Sequence, residues 1–323
     1  MNVIKLSTAL FCCLFLTNQT LIAQETIDYR KEMRDLVIEL SESAKTKHPN
    51  FIIIPQNGVE LLIEGSENQE SRAIDYLNAI DAVAQEDLFY GYPKINKLTP
   101  LSENLYLKTY LDLAKKNKKE VLTIDYASTQ ELITDSYKRN KESGYISFAA
   151  PRRELDHIPA YPVFCENSKN IDDLSEAKNF LYFLNYANYS TKKELISELS
   201  FTNYDLIVLD LFFQNQAFTK ENIAQLKKKK NGGDRLVIAY MSVGEAENYR
   251  YYWKKNWNSK PPEWFVEENP NWEGNFKVKY WKDTWKELIY GNEEAYLKKI
   301  INAGFDGVYL DIIDGFQYFE NKE

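Results

Sequence analysis

Short, nearly continuous apolar runs alternate along the chain with longer stretches in which apolar residues recur every three or four positions. Residues 28–47 place Met33, Leu36, Val37, Leu40 and Ala44 on one stripe, which predicts an amphipathic helix stopped by His48-Pro49-Asn50. Phe51 to Pro55 is apolar throughout, as in a strand buried on both faces. Further strands are expected at Ile80–Ala84, Val121–Ile124, Gly144–Ala149, Phe180–Leu184, Leu206–Leu209, Leu236–Val243 and Val308–Leu310. Helical sequence separates them at 69–80, 102–118, 129–141, 191–200, 219–230 and 285–303. The rhythm breaks at 154–176, where Pro159 and Pro162 suggest a surface connection. Alternation of this kind means a parallel sheet. Eight units fit a (β/α)8 barrel as one domain over 24–323, with halves at 28–153 and 177–320. A doubly wound open sheet is the other architecture compatible with the pattern.

With 323 residues, 44% hydrophobic and 27% charged, the composition is that of a globular chain. A net charge of −8 argues against a nucleic-acid partner, which calls for a basic face. Residues 1–23 read as a secretory leader: Lys5, then an apolar run from Ala9 to Leu16 too short to span a bilayer, then Ala23 at the cut. The expected location is therefore secreted or periplasmic, without stable membrane insertion. Cys12 and Cys13 fall inside that leader, and Cys165 alone would remain. An intrachain disulfide and a thiolate metal cluster are then excluded. His48 and His157 both lie beside prolines or turns, so triad chemistry and His-rich metal sites are poor fits. No strand is followed by GxGxxG or GxxxxGK, and no cofactor is expected.

In a parallel α/β fold the carboxyl ends of the strands share one rim. That rim carries Glu60, Glu86, Asp87, Asp125, Arg152, Asn185, Asp210, Glu245 and Asp311. Carboxylates around one mouth suit acid/base work or an oxygen-ligated metal. Any single member can equally be a helix cap or a partner for Arg152 or Arg250. All six tryptophans fall between Trp253 and Trp285, among Tyr249, Tyr251, Tyr252 and Tyr280. Flat faces with polar edges stack on sugar rings, although a self-packed miniature core would absorb at least half of them. Acids with an aromatic platform, and without histidine, point to glycoside hydrolysis by two carboxylates.

Several stretches carry a specific resemblance. Ala239 to Arg250 reads AYMSVGEAENYR; Trp253 follows, then Gly274 to Trp281 reads GNFKVKYW, and Gly304 to Asp314 reads GFDGVYLDIID. Together with Ile54 to Leu61, IPQNGVEL, and Glu86 to Tyr90, EDLFY, they resemble glycoside hydrolase family 114, the endo-α-1,4-polygalactosaminidase-like family. The order departs from the family pattern, in which the YxSxGEAE and GVYLD strands precede the QNGxE strand. The resemblance therefore implies a circular permutation, with strands five to eight of the barrel first and one to four after the 154–176 connection.

The resemblance puts the catalytic pair on Asp311 and Glu60; carboxyls on neighbouring strand ends favour Asp311 as nucleophile and Glu60 as general acid/base in a retaining mechanism, with inversion expected if they stand farther apart. Asp125, Asp210, Glu245 and Asn57 would hold substrate hydroxyls or amines, and Tyr280 with Trp281 would form a stacking wall. The implied partner is an α-1,4-linked galactosamine-type polysaccharide, cut within the chain. A secreted carbohydrate-binding barrel without turnover is the alternative function, and a metal-dependent hydrolase built on the acid ring is a third.

Overall fold

The computed structural model describes residues 26–65 and 71–322. The leader at 1–23 lies outside them. Among the described residues, no helix is long and apolar enough to cross a membrane. The core is carried by eight parallel strands: β1 (Ile52–Pro55), β2 (Ala82–Glu86), β3 (Glu120–Tyr126), β4 (Ile146–Ala150), β5 (Phe180–Phe183), β6 (Leu206–Asp210), β7 (Leu236–Ser242) and β8 (Gly307–Asp311). They form a five-stranded sheet in the order β1-β8-β7-β6-β5 and a three-stranded sheet β2-β3-β4. A bridge from Gln56 to Ala84 joins the two, reinforced by Asn57 N–H donating to Ala84 O at 2.8 Å and Asp81 N–H to Ile53 O at 2.9 Å. At the other margin the Phe148 ring of β4 meets the Phe180 ring of β5 at 5.9 Å. The fold is thus mixed α/β around parallel sheets, as the alternation predicts.

β8 pairs with β1 on one side and β7 on the other: Gly307 is the register partner of both Ile52 and Ile238. Nothing larger than glycine fits there, because a Cβ on Gly307 would sit 2.3 Å from the Ile52 carbonyl oxygen. The last strand therefore docks against the first. Helix α1 (Tyr29–Lys45) repeats the theme: its stripe from Met33 to Ala44 is buried, and Arg30 pairs with Glu320 at 2.8 Å on the short helix Phe316–Glu320.

Three segments depart from expectation. Among the described residues of 69–80, which begin at Ser71, only Ile74–Ala79 is helical, and Ser71–Arg72 instead pairs with Ile63–Glu64. The helix at 219–230 stops at Leu226, because Lys229 turns inward to meet Asp205 at 3.0 Å, both side chains being fully buried. The aromatic excursion holds a small antiparallel sheet of Glu245–Glu247, Asn275–Val278 and Phe265–Glu268. Trp257, Trp264 and Trp285 are buried beneath it, with Trp264 against Trp257 at 5.0 Å and Trp285 at 4.9 Å.

Gly307→Ala forces β1 and β8 apart where backbone meets methyl. Overpacking of this kind costs about 1–3 kcal/mol. A urea unfolding midpoint lowered accordingly is expected; an unchanged midpoint would show that the seam yields to a methyl group.

Candidate active site

A cavity of about 1100 Å³ opens at the carboxyl ends of the strands. Seven carboxylates line it (Glu86, Glu154, Asp210, Glu245, Glu247, Asp311 and Asp314) against two guanidiniums, Arg153 and Arg250. Asp311 closes β8. Its Oδ2 accepts from Tyr240 Oη at 2.7 Å and its Oδ1 from the Ile312 N–H at 2.8 Å. Burial raises its pKa against those two bonds, and Glu247 and Glu245 add to the rise. Ile312 then takes φ 60°, a left-handed conformation that a β-branched residue adopts only under constraint. That turn brings Asp314 back to the cavity.

Glu86 closes β2. Its carboxylate accepts from Tyr126 Oη on β3. Burial pushes its pKa up to about 7; Tyr126 opposes the rise, and Asp311 and Asp87 add to it. Asp311 acts on Glu86 as a like charge, so the two share one electrostatic environment. Asn57, at φ 61°, aligns the strand end, its Oδ1 accepting from Gln85 Nε2 at 3.1 Å and the Glu86 N–H at 3.3 Å. Burial likewise drives Asp314 up to about 7, helped first by Asp311.

The far wall is an ionic network. Arg250, nearly buried, bonds Asp210 at 2.9 Å and Glu247 at 3.2 Å, between the rings of Tyr249 and Tyr296. Asp210 is thereby neutralised, as the alternative reading of a lone strand-end acid has it. Arg153 bonds Asp87 at 2.7 Å and lies 4.1 Å over the Tyr126 ring. Arg152, which the strand-end argument put on the rim, pairs instead with Glu154 and Asp156. Asn185 does line the cavity.

Four expected site residues lie elsewhere. Glu60 sits in a single turn, Val59–Leu62, where its Oε1 accepts from Tyr106 Oη at 2.9 Å, and it does not line the cavity. Asp125 is fully buried behind the loop after β2, saturated by the Phe89 and Tyr90 N–H groups, Ser136 Oγ and Asn140 Nδ2. Tyr280 is buried, donating to Tyr29 O at 2.8 Å, and Trp281 packs on Tyr29 and Phe319. Both are held by α1, not turned to the mouth. The exposed rings at the mouth are Trp272, Tyr249 and Tyr251. Strand-end position had flagged Glu86 but not ranked it above Glu60; Tyr240 stood in the YxSxGEAE stretch but was given no role there.

Residues 164–323 match the model of glycoside-hydrolase family GH114. The chain is 42% identical over 156 residues to the uncharacterized protein MJ1477 of Methanocaldococcus jannaschii, a match covering 47% of this chain and 42% of that one. Uncharacterized proteins of Thermotoga maritima (38% over 125 residues, 39% of this chain and 37% of that one) and Deinococcus radiodurans (40% over 119 residues, 37% and 36%) are also similar. The chain thus spans about two-fifths of the length of the curated relatives it matches.

The Tyr126 bond favours the ionised form of Glu86. Tyr126→Phe is therefore expected to raise the Glu86 pKa above its value near 7. Carbon-13 titration of labelled glutamate side chains, with Glu86→Gln to identify the resonance, checks this; a Glu86 resonance titrating in the ordinary carboxylate range would contradict it.

Proposed function

From a chain whose residues 164–323 belong to glycoside hydrolase family 114, we propose a glycoside hydrolase that works with two carboxylates, Asp311 and Glu86. One observation carries the reading: both line one cavity in unlike environments, Asp311 oriented by two donors and Glu86 holding its proton to about 7. Carboxylates whose environments separate their roles are the signature of acid and nucleophile. Glu86 gives its proton to the departing glycosidic oxygen. Asp311 attacks the anomeric carbon and forms a glycosyl ester. Glu86, now ionised, takes a proton from the water that opens the ester, which restores both groups. Net retention of anomeric configuration follows, and proton NMR of the first product reads it; inversion would recast Asp311 as the base that activates water.

The resemblance gives the proton donor's part to Glu60. In this proposal Glu86 takes it, because Glu60 is held by Tyr106 away from the cavity. The substrate we propose is an α-1,4-linked galactosamine-type polysaccharide, cut internally, with Trp272, Tyr249 and Tyr251 as the stacking surface at an open mouth. The leader read at 1–23 makes the protein secreted or periplasmic in the same proposal.

A closed (β/α)8 barrel with permuted order is its architectural part. The β1–β8 ladder supports it, joining the two ends of the chain. So do the matches. The family model begins inside the 154–176 connection, and each relative aligns over similar shares of both chains before the alignment stops. A linear comparison of permuted chains recovers one half in this way.

The test is release of reducing ends from partly deacetylated poly-α-1,4-galactosamine by wild type, Asp311→Asn, Glu86→Gln and Glu60→Gln. Loss of about 10²–10⁴-fold is expected for Glu86→Gln, at least as much for Asp311→Asn, and a smaller loss for Glu60→Gln. Loss confined to Asp311→Asn and Glu60→Gln would return the acid's part to Glu60. Binding without cleavage by any of the four would leave a carbohydrate-binding protein. In the wild type, kcat/KM is expected to fall as pH rises through about 7, because the general acid must be protonated. It falls again at low pH as Asp311 is protonated.

A further inference from the structure

Arg153 makes more than an ion pair. It follows β4 by three residues, and Ala150, the last residue of β4, is the register partner of Tyr126 on β3. The guanidinium comes down beside the end of β3, its central carbon 4.1 Å from the middle of the Tyr126 ring. Two acceptors hold it there through one Nη2: Asp87 Oδ1 at 2.7 Å and the Gly91 carbonyl oxygen at 2.6 Å. The loop that supplies them is closely built. Asp87 takes φ 58°, and a Cβ on Gly91 would meet Asp87 Oδ1 at 1.7 Å. The carboxylate that anchors Arg153 is thus itself confined.

The ring beneath the guanidinium carries the hydroxyl that donates to Glu86. Arg153, Tyr126 and Glu86 all line the cavity. A cation over a π face is attracted by the ring's electrons. It draws density from the ring and makes the phenol a stronger donor. Burial and Glu86 raise the Tyr126 pKa, and Arg153 opposes them. The groups that act on Glu86 come from several elements: Tyr126 on β3, Tyr182 on β5, Tyr309 and Asp311 on β8, and Asp87 and Arg153 beyond the ends of β2 and β4. Of these six, only Arg153 is a cation.

We infer that Arg153 is a positioning residue for Glu86: held by Asp87 and Gly91, it acts through the face of Tyr126 to keep the phenol hydroxyl on the carboxylate. It favours the ionised carboxylate, against burial and the like charges of Asp311 and Asp87. A group that gives up a proton and takes one back in each cycle needs both pulls in balance. The inference rests on the reading of Glu86 as the general acid.

The experiment is carbon-13 titration of labelled glutamate side chains in the whole chain, with Glu86→Gln to mark the resonance. Arg153→Met is expected to raise the proton affinity of Glu86 about threefold or more. In a Tyr126→Phe background the same substitution is expected to change it less than about twofold, because no hydroxyl then joins the ring to the carboxylate. Arg153→Lys keeps the charge and loses the planar face, and is expected to fall between wild type and Arg153→Met. Asp87→Asn is expected to lower the affinity, since it removes a like charge. A loop that was merely loosened would move Glu86 in the same direction in Asp87→Asn and Arg153→Met. Equal effects of Arg153→Met with and without the Tyr126 hydroxyl, an Arg153→Lys chain indistinguishable from wild type, or a common direction for Arg153→Met and Asp87→Asn overturns the proposal. Should Arg153→Met fail to fold, Arg153→Lys with and without the hydroxyl carries the same comparison. The alkaline limb of kcat/KM reads the catalytic side, and in Arg153→Met it is expected to move upward with the Glu86 titration. A limb that stays in place while Glu86 titrates higher keeps the role of Arg153 and removes Glu86 as the acid. A limb and a Glu86 titration that both stay near 7 keep the glycosidase and remove the role of Arg153.

Discussion

The site rests on one seam. β8 takes hydrogen-bonded neighbours from both β1 and β7, which lie far apart in the chain, and Gly307 lets its backbone close to within reach of Ile52. Asp311 has a fixed place only because that strand is clamped on both sides. Tyr240, its hydrogen-bond donor, comes from β7, and its electrostatic partner Glu86 comes from β2, beyond β1. Contacts so remote in sequence carry a loop-closure cost that only the completed core offsets.

On that frame the chain handles buried acids in two ways. Where the wall must be rigid, charge is matched: Arg250 answers Asp210 and Glu247, Lys229 answers Asp205. In the cavity, by contrast, Glu86 and Asp314 have no ion-pair partner among the described residues and hold protons up to about 7. The unfolded chain would release those protons near the ordinary values of 4.5 and 3.8. Folding therefore takes up protons in that window, and the stability tied to both groups is present below it and lost as pH rises to 7. These carboxyls are held protonated at the expense of the fold, as perturbed groups in functional clefts commonly are.

Much of this was legible in the chain. Alternating strand runs and helical stripes gave the parallel α/β fold, and strand-end position singled out Asp311, Asp210, Glu245 and Glu86 as a group. Their ranking was not legible, because burial decides it. Asp125 and Glu86 look alike in sequence, yet one is saturated by four donors and the other faces the cavity with one. Likewise Trp281 and Trp272 look alike in sequence, yet Tyr29 and Phe319 claim the first, and the second is exposed. Burial alone likewise sets Lys229 apart from the neighbouring lysines, its ammonium meeting Asp205 in the interior.

The excursion from Glu245 to Trp285 folds on itself, with its own strands and its own stack of indoles. It lines the cavity with Glu245, Glu247, Tyr249, Arg250, Tyr251 and Trp272, and Arg250 ties it to Asp210 on β6. Exchanging such a piece by grafting would leave the strands that carry Glu86 and Asp311 in place but would take Arg250 from Asp210. Its Glu245 and Glu247 still act on Asp311 as like charges, so a change in the excursion is felt at the strand end it faces.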